Sequence, residues 1–457
     1  MKRSDPKPPG YVRWATRILE EAGYETWAVG GAIRNTLLGL PSGDWDLATR
    51  APPKVVQRLF PRTVPVGVEH GTVGVLTRGG VLLEVTTFRK DVETFGRHAV
   101  VEFAQTLQED LARRDFTVNA IAWHPLRGEY QDPFNGRKDL ERGILRTVGN
   151  PRERFAEDYL RVLRALRFSG RFRLHIREDT WEAIQAARDD LGGLSPERIR
   201  EELFKILREA PQPSRALSLY RVSGVLQALY PELARVEGCL RGDPPEDLWA
   251  HCVLLTDMIP STRPLLRLAS LFQGVGFPGC LERPGEEAGQ REQGASTHRG
   301  RERTAALMIR LRFSNAEIRQ VSELMDVGLE PPLELDSGAD LRRWLHAANP
   351  EHFPTLARIW LAKARLDALR WGRDPLPTLD LISRIRREIR GGSPLVQGDL
   401  AMDGRHLISM GLRPGPRFGV ILTALMDRVL EDPELNDPET LENLVVQWLE
   451  EEEGRES

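Results

Sequence analysis

Residues 27–49, WAVGGAIRNTLLGLPSGDWDLAT, bring a Gly-Gly pair, an arginine and two carboxylates one residue apart into a single short stretch. Trp27, Ala28 and Val29 predict the end of a buried strand. Gly30 and Gly31 then let the backbone turn sharply and carry bare N–H groups close to an anion. A helix starting near Ala32 directs its positive end at the same place, which suits triphosphate oxygens, with Arg34 as a charged second contact. Pro41, Ser42 and Gly43 break the chain ahead of Asp44-Trp45-Asp46. Strand alternation puts both carboxylates on one face, where two hard oxygen donors suit Mg²⁺. The chemistry implied is nucleotidyl transfer. Taken singly, a Gly-Gly is most often a plain turn and an Asp-x-Asp a solvated loop, so the joint spacing carries the reading.

Two further segments hold residues of the right kinds. In RRDFTVNA, 113–120, Asp115 and Asn119 lie four apart and are expected on one helix face, where such a pair can hold a ribose. Arg113 and Arg114 precede them and can reach phosphates, although an arginine pair is more often a solvated face. In EDYLRVLRALRFSGRF, 157–172, a single helix is expected, with Tyr159, Leu163 and Leu166 toward a core and Asp158, Arg161 and Arg164 along another side. Asp158 and Arg161 are neighbours at i and i+3. They make either an ordinary intrahelical salt bridge or a carboxylate beside a guanidinium fork, able to hydrogen-bond the Watson–Crick edge of a base without a template.

The elements that must position these residues divide the chain. A helix is expected from Tyr11 to about Ala22, with Val12, Ala15, Ile18, Leu19 and Ala22 on one face. TVPVGVEHGTVGVLTRGGVLLEVTTFR reads as β-rich with turns at Gly71 and Gly79-Gly80, so the head is mixed α/β. DPFNG, 132–136, is its last turn, inside a meander closing by about Val148. From Arg152 onward helix follows helix; in LSPERIREELFKILREA, Ser195 suits the cap, Pro196 the first position and Glu197 the positive end. The polar stretch 281–303 lacks apolar periodicity and is expected to be a mobile loop.

At 457 residues the chain exceeds one core, and a hydrophobic content of 40% is that of a soluble globular protein. Lys+Arg 64 against Asp+Glu 67 gives a net charge of −3, so any basic surface must be local. Between Arg146 and Arg173 the arginines are opposed, within the segment, only by Glu153, Glu157 and Asp158, which predicts a basic patch. Three scattered cysteines make neither a zinc knuckle nor a disulfide framework and fit a reducing cytoplasm. No run of about 18 apolar residues and no apolar leader occurs, so a soluble, unexported protein without a membrane partner is expected.

GGAIRN with DWD, RRDFTVNAIA, DPFNGRKDL, EDYLRVLRALRF and SPERIREELFKIL, in that order, resemble the class II tRNA nucleotidyltransferase and poly(A) polymerase family, and within it the bacterial CCA-adding enzymes. LAMDGRHLISMGLRPGPRFGVILTALMDRVL resembles their tail, with Gly411, Pro414, Gly415 and Pro416 as a turn between helices. The resemblance implies an α+β nucleotidyltransferase head, 11–148, a small mixed sheet with helices. An all-α neck, 149–235, would select the nucleotide, a helical body would cover 236–330, and a tRNA-binding tail 331–457. Asp44 and Asp46 would be catalytic and bind two Mg²⁺, with Gly30, Gly31 and Arg34 on the triphosphate. Arg114, Asp115, Asn119, Asp158, Arg161, Arg164 and Arg167 would bind the nucleotide, Asp158 and Arg161 pairing with the base. CTP and ATP would be added to the acceptor end of tRNA in the cytoplasm, a homodimer being one option. Glu84, in LLEVTTFR, is either a third carboxylate near the metals or a residue buried against a partner.

Three departures stand out. Asn35 replaces the aspartate of the usual head motif, which keeps an acceptor and loses a charge. KDVETFGRHAVVEF, 90–103, corresponds to a flexible loop that helps switch from C to A addition and is slightly short. DLWAHCVLLTDM and LASLFQGVGFP resemble a His-Asp phosphohydrolase-like domain that keeps His251 but has Gln273-Gly274 where His-Asp would stand, which implies a degenerate scaffold; His298 falls in the expected loop. The rival readings are a CC-adding or A-adding specialist, a poly(A) polymerase, a tRNA clamp without catalysis and a metallophosphohydrolase.

Overall fold

The computed structural model describes residues 5–95, 98–241, 245–276 and 293–456. It divides into two compact units, Met1–Ala234 and Arg235–Ser457.

The first unit opens with α1 (Gly10–Glu21), β1 (Thr26–Val29), α2 (Gly31–Leu37), β2 (Asp46–Thr49) and α3 (Pro53–Leu59). β3 (Thr63–Gly67), β4 (Thr72–Leu76), β5 (Leu82–Thr87), β6 (Arg89–Phe95) and β7 (His98–Phe103) follow, then α4 (Leu107–Ala112), β8 (Ala122–Trp123) and β9 (Tyr130–Gln131). Seven strands form one mixed sheet in the order β3-β4-β5-β2-β1-β8-β9. Only β2 and β5 pair in parallel; the remaining pairs are antiparallel.

Alternation decides the faces. Val73, Val75, Leu83 and Val85 are fully buried on one side, covered by α1 and α3. α1 buries Val12, Ala15, Thr16 and Leu19, close to the expected apolar stripe. On the other side Trp27, Val29 and Ala48 pack with Phe88, Ala104, Leu107, Leu111 and Ala120, so that face is closed near β1 and open toward β3.

The helical part begins with α5 (Gly136–Arg142), then β10 (Ile144–Leu145), α6 (Pro151–Glu157), α7 (Leu160–Phe172), β11 (His175–Ile176) and α8 (Glu178–Ala186). α9 (Pro196–Glu209), α10 (Pro213–Val222), α11 (Val225–Leu229) and α12 (Pro231–Ala234) complete the unit. α7 lies against α9 and α10, and a side chain at Gly170 would sit 2.5 Å from Ala216 N. α9 starts where expected, with Ser195 at the cap position and Pro196 first, although the Ser195 side chain makes no cap hydrogen bond.

The second unit is built of helices, among them Leu248–Met258, Pro264–Phe272, Asn315–Val327, Phe353–Trp371, Leu376–Arg390 and Pro416–Glu431. Gly411, with φ +91°, and Gly415 fall between the helices Gly404–Ser409 and Pro416–Glu431, where the turn is expected. No helix among the described residues is long and apolar enough to cross a membrane.

Several expectations need correction. RRDFTVNA is not one α-helix: α4 ends at Ala112, and Thr117–Asn119 form a single 3-10 turn. The segment 157–172 is broken, because Asp158 is extended at φ −155°, ψ 103° between α6 and α7. Within KDVETFGRHAVVEF the described residues 90–95 and 98–103 pair as antiparallel strands, β6 on β7, with a register shift between Asp91 and Glu93, while Gly96 and Arg97 lie outside the described residues. DPFNG is a turn, as expected, but it leads into α5 rather than on through a meander. A helix covers Gln293–Arg310, so residues 293–303, His298 included, are helical rather than loop; 281–292 lie outside the described residues. The apolar Leu307 and Met308, both buried, lie beyond the polar stretch and give its helix a packed end. Cys239 is disulfide-bonded, against expectation, while Cys252 is free and buried; cysteine spacing along the chain does not report Cα separation.

Candidate active site

Gly30 ends β1 in a conformation open chiefly to glycine, φ +75°, ψ −129°, and caps α2. A side chain there would meet Arg114 Nη1 at 3.1 Å. The Gly-Gly turn is thus held against RRDFTVNA. Arg114 donates to Asp110 Oδ2 at 3.1 Å and to Asn119 O at 3.4 Å. Asp110 is buried; against that burial, Arg114 and Arg113 keep its pKa below the usual carboxylate range.

β2 begins at Asp46, whose register partners are Val29 on β1 and Glu84 on β5. Asp44 lies before the strand and is exposed, while Trp45 is buried between the two aspartates. The alternation reading therefore holds in the ladder for Asp46 alone. Burial first, then Glu84 and Asp44, push the Asp46 pKa up to about 6, with Arg114 opposing. Glu84 is exposed on the face it shares with Asp46, so it is not buried against a partner strand. Among the described residues no group of three or more His, Cys, Asp or Glu side chains stands ready to hold a metal ion. The donors nonetheless fit a hard divalent cation: crowded carboxylates raise one another's pKa, and such an ion relieves that repulsion.

Arg34 is buried beneath this row. Its Nε and Nη2 donate to Asn35 Oδ1 at 3.2 and 2.9 Å, and Nη1 donates to Asn119 Oδ1 at 2.5 Å. Its guanidinium lies 5.0 and 4.4 Å from the ring centroids of Phe168 and Phe172 on α7. Burial, then Arg171, Arg167 and Arg164, press its pKa down to about 9 against Asp115, which leaves it cationic at neutral pH.

Asp115 joins the head to the neck. Oδ1 accepts from Phe116 N and Asn119 Nδ2, both at 2.8 Å, and Oδ2 from Arg164 Nε at 2.8 Å. Asp115 is half-buried, and against that desolvation Arg164 and the Asn119 amide hold its pKa low. The pairing of Asp115 with Asn119 therefore exists, made by a turn instead of a helix face. The turn is braced from below. Gly136 allows α5 to approach so closely that a side chain would lie 2.0 Å from Thr117 O, and Asp139 accepts from Thr117 Oγ1 at 2.6 Å. Asp132 accepts from the N–H groups of Gly136 and Arg137, fixing the start of α5.

Asp158 and Arg161 are not each other's side-chain partners. Asp158 Oδ1 accepts from Leu160 N at 3.1 Å, starting α7, and Oδ2 accepts from Arg198 Nη2 on α9 at 2.6 Å. Arg161 donates to Glu157 and, at 2.9 Å, to Arg154 O. Arg167 is buried in the neck, its Nε 2.6 Å from Glu202 Oε2. Arg198 and Glu202 were missed because SPERIREELFKIL carries an ordinary capping and amphipathic pattern. Their charges at positions 198 and 202 were the available signal.

Residues 26–146, which contain the turn, both aspartates, Glu84 and RRDFTVNA, match the family model of the Poly A polymerase head domain. The chain resembles the tRNA nucleotidyltransferase and poly(A) polymerase family. Residues 173–236 match a second model of that family, described as a probable RNA and SrmB-binding site of polymerase A. A CCA-adding enzyme of Anoxybacillus flavithermus is 47% identical over 218 residues, which is 47% of this chain and 54% of that protein. One from Geobacillus kaustophilus is 42% identical over 55% of this chain and 64% of its own length. The chain thus aligns with only about half to two thirds of these curated relatives. Among solved structures, the Bacillus stearothermophilus CCA-adding enzyme in complex with CTP superposes with a TM-score of 0.69 at 28% identity, covering 97% of this chain and 98% of that one. An α+β head followed by helices is the fold class of both.

Proposed function

We propose that the protein adds CCA to the 3′ end of tRNA, using CTP and ATP and releasing pyrophosphate. The observation that carries this reading is the Asp46–Glu84 register pair opening beside the Gly30–Gly31 turn, with Arg114 packed against the turn and its charge acting on Asp46. The names of the relatives and the CTP complex of the solved structure support it.

Asp44 and Asp46, with Glu84 alongside, are the residues that would hold Mg²⁺. A divalent ion there supplies a lowered pKa for the RNA 3′-hydroxyl and charge neutralisation at the leaving pyrophosphate. The chain supplies the rest. N–H groups at the start of α2 and the Arg114 guanidinium receive phosphate oxygens. Arg34 sits behind them as a buried positive charge, and the Asp115–Asn119 pair offers a carboxylate and an amide to a ribose. Base choice falls to the break between α6 and α7. There Asp158 and Arg161 present an acceptor and a donor from separate pairs, Asp158–Arg198 and Glu157–Arg161, that must exchange partners to meet a base together. Residues 11–148 would act as the catalytic head, 149–235 as the selecting neck, and 236–330 and 331–457 as body and tRNA-binding tail, in the cytoplasm.

The test is to incubate the purified protein and Mg²⁺ with tRNA ending at the discriminator base, at C and at CC, with CTP, ATP or both, and to size the products. CCA on the first substrate is expected. Extension that stops at CC, or occurs only on the CC end, would assign a specialist. No extension of any substrate would overturn the reading.

A further inference from the structure

The open face of the head sheet does not end at the carboxylates. Asp46, Glu84, Gly74 and Val64 are register partners across four consecutive strands, β2, β5, β4 and β3. Beyond Glu84 the row turns wholly apolar. Gly74 has no side chain, and the tips of Val66 and Leu82 close over it, 2.7 and 2.9 Å from where a Cβ would stand. Val64, Val66 and Leu82 are 43, 43 and 45% exposed, whereas Val73, Val75, Leu83 and Val85 on the opposite face are fully buried. Val64, Val66 and Leu82 thus lie on the face that carries Asp46 and Glu84.

We infer that Val64, Val66 and Leu82 form the platform on which the 3′-terminal nucleoside of the RNA primer rests. This rests on the reading given under Proposed function. Three considerations select this occupant. The shelf is continuous with the carboxylate row, and Gly74 lies two strand spacings, about 10 Å, from Asp46. A nucleoside lying along the row puts its 3′-hydroxyl toward the carboxylates and its base over Gly74. The shelf side chains carry no donor or acceptor. A primer whose last base changes with each addition, from the discriminator to C to C, needs a seat that reads no base edge. Positioning is the role of these residues, since none of them offers a group to the reacting atoms.

The test uses the full chain, Mg²⁺ and an acceptor-stem minihelix ending in each of the four bases. The double variant Val66→Ser with Leu82→Ser keeps the charge, so it adds no repulsion toward phosphates. It is expected to raise KM for the minihelix about tenfold, leaving KM for CTP within about twofold. The increase is expected to be alike for all four ends, and Val66→Ile is expected to behave as the unaltered chain. An unchanged minihelix KM, or a parallel rise in the CTP KM, would overturn the platform. An effect confined to one terminal base would overturn its neutrality. A change in oligomeric state by light scattering, without a change in minihelix KM, would assign the face to contact between copies and overturn the proposal. If the unaltered protein extends nothing, the functional reading itself falls, and the platform with it.

Discussion

Arg34 and Asn35 bear on how the head tolerates its most conspicuous departure from the family pattern. An aspartate at position 35 would give the buried guanidinium a charged partner, whereas Asn35 gives it one neutral oxygen that accepts two hydrogen bonds. Asn119 and two phenyl rings complete the cage. Orientation survives without the carboxylate because the fork needs an acceptor in the right place more than it needs a charge. Asn35→Ala is expected to cost about 1–3 kcal/mol by leaving N–H groups of a buried cation unpaired. It should also lower nucleotidyl transfer at least tenfold, while Asn35→Asp keeps full transfer. Thermal denaturation and a single-turnover CTP assay check both. At this scale the Gly-Gly turn and Asp46 were legible, since glycine conformation and strand alternation are local. The partners of Asp158 were not. Arg198 is 40 residues away, and helical spacing favoured Arg161 only while the helix was taken as unbroken.

Among elements, α7 does the most joining, and it is held by charges that chain-local counting leaves out. Arg164 is paired with Asp115 and Arg167 with Glu202, while Arg171 pairs with Glu209. Glu202 is buried, but Arg167, Lys205 and Arg164 outweigh burial and keep its pKa below the usual range. Its contribution to stability is therefore fully present above the unfolded pKa, about 4.3, and is lost as pH falls through the lower folded value. Glu202→Gln at pH 7 is expected to cost about 3–5 kcal/mol, because it strands the Arg167 charge in the interior. Urea titrations of both proteins between pH 7 and 3 should show the parent losing stability faster than the variant at the acid end. Helix periodicity gave the amphipathic faces of α1 and α9. It could not give the hairpin β6–β7, whose strands follow a polar run, nor the helix 293–310, where polarity concealed continuation into a packed end.

Over the whole molecule, the expected basic patch is largely neutralised. Arg146 meets Asp139, Arg154 and Arg161 share Glu157, and α7 draws acids from other segments. RNA affinity therefore cannot be read from the arginine count, because a paired arginine releases no counterion when a phosphate approaches. The division after Ala234 puts every candidate site residue in one compact unit. A chain ending at Ala234 is expected to melt as a single cooperative transition and to bind CTP in the presence of Mg²⁺. Calorimetry and isothermal titration decide this, and a fragment that shows no cooperative melt would contradict it.

The edge of the head sheet has a consequence for solubility. β3 ends the sheet with valines turned to water, the kind of border along which a foreign strand can zip and seed aggregation. Pro65 stands between those valines without an N–H to offer, and the register slips between Pro65 and Gly67, so the border presents no straight run of donors. The chain can thus keep an oily ledge open to solvent while denying it to amyloid-like growth.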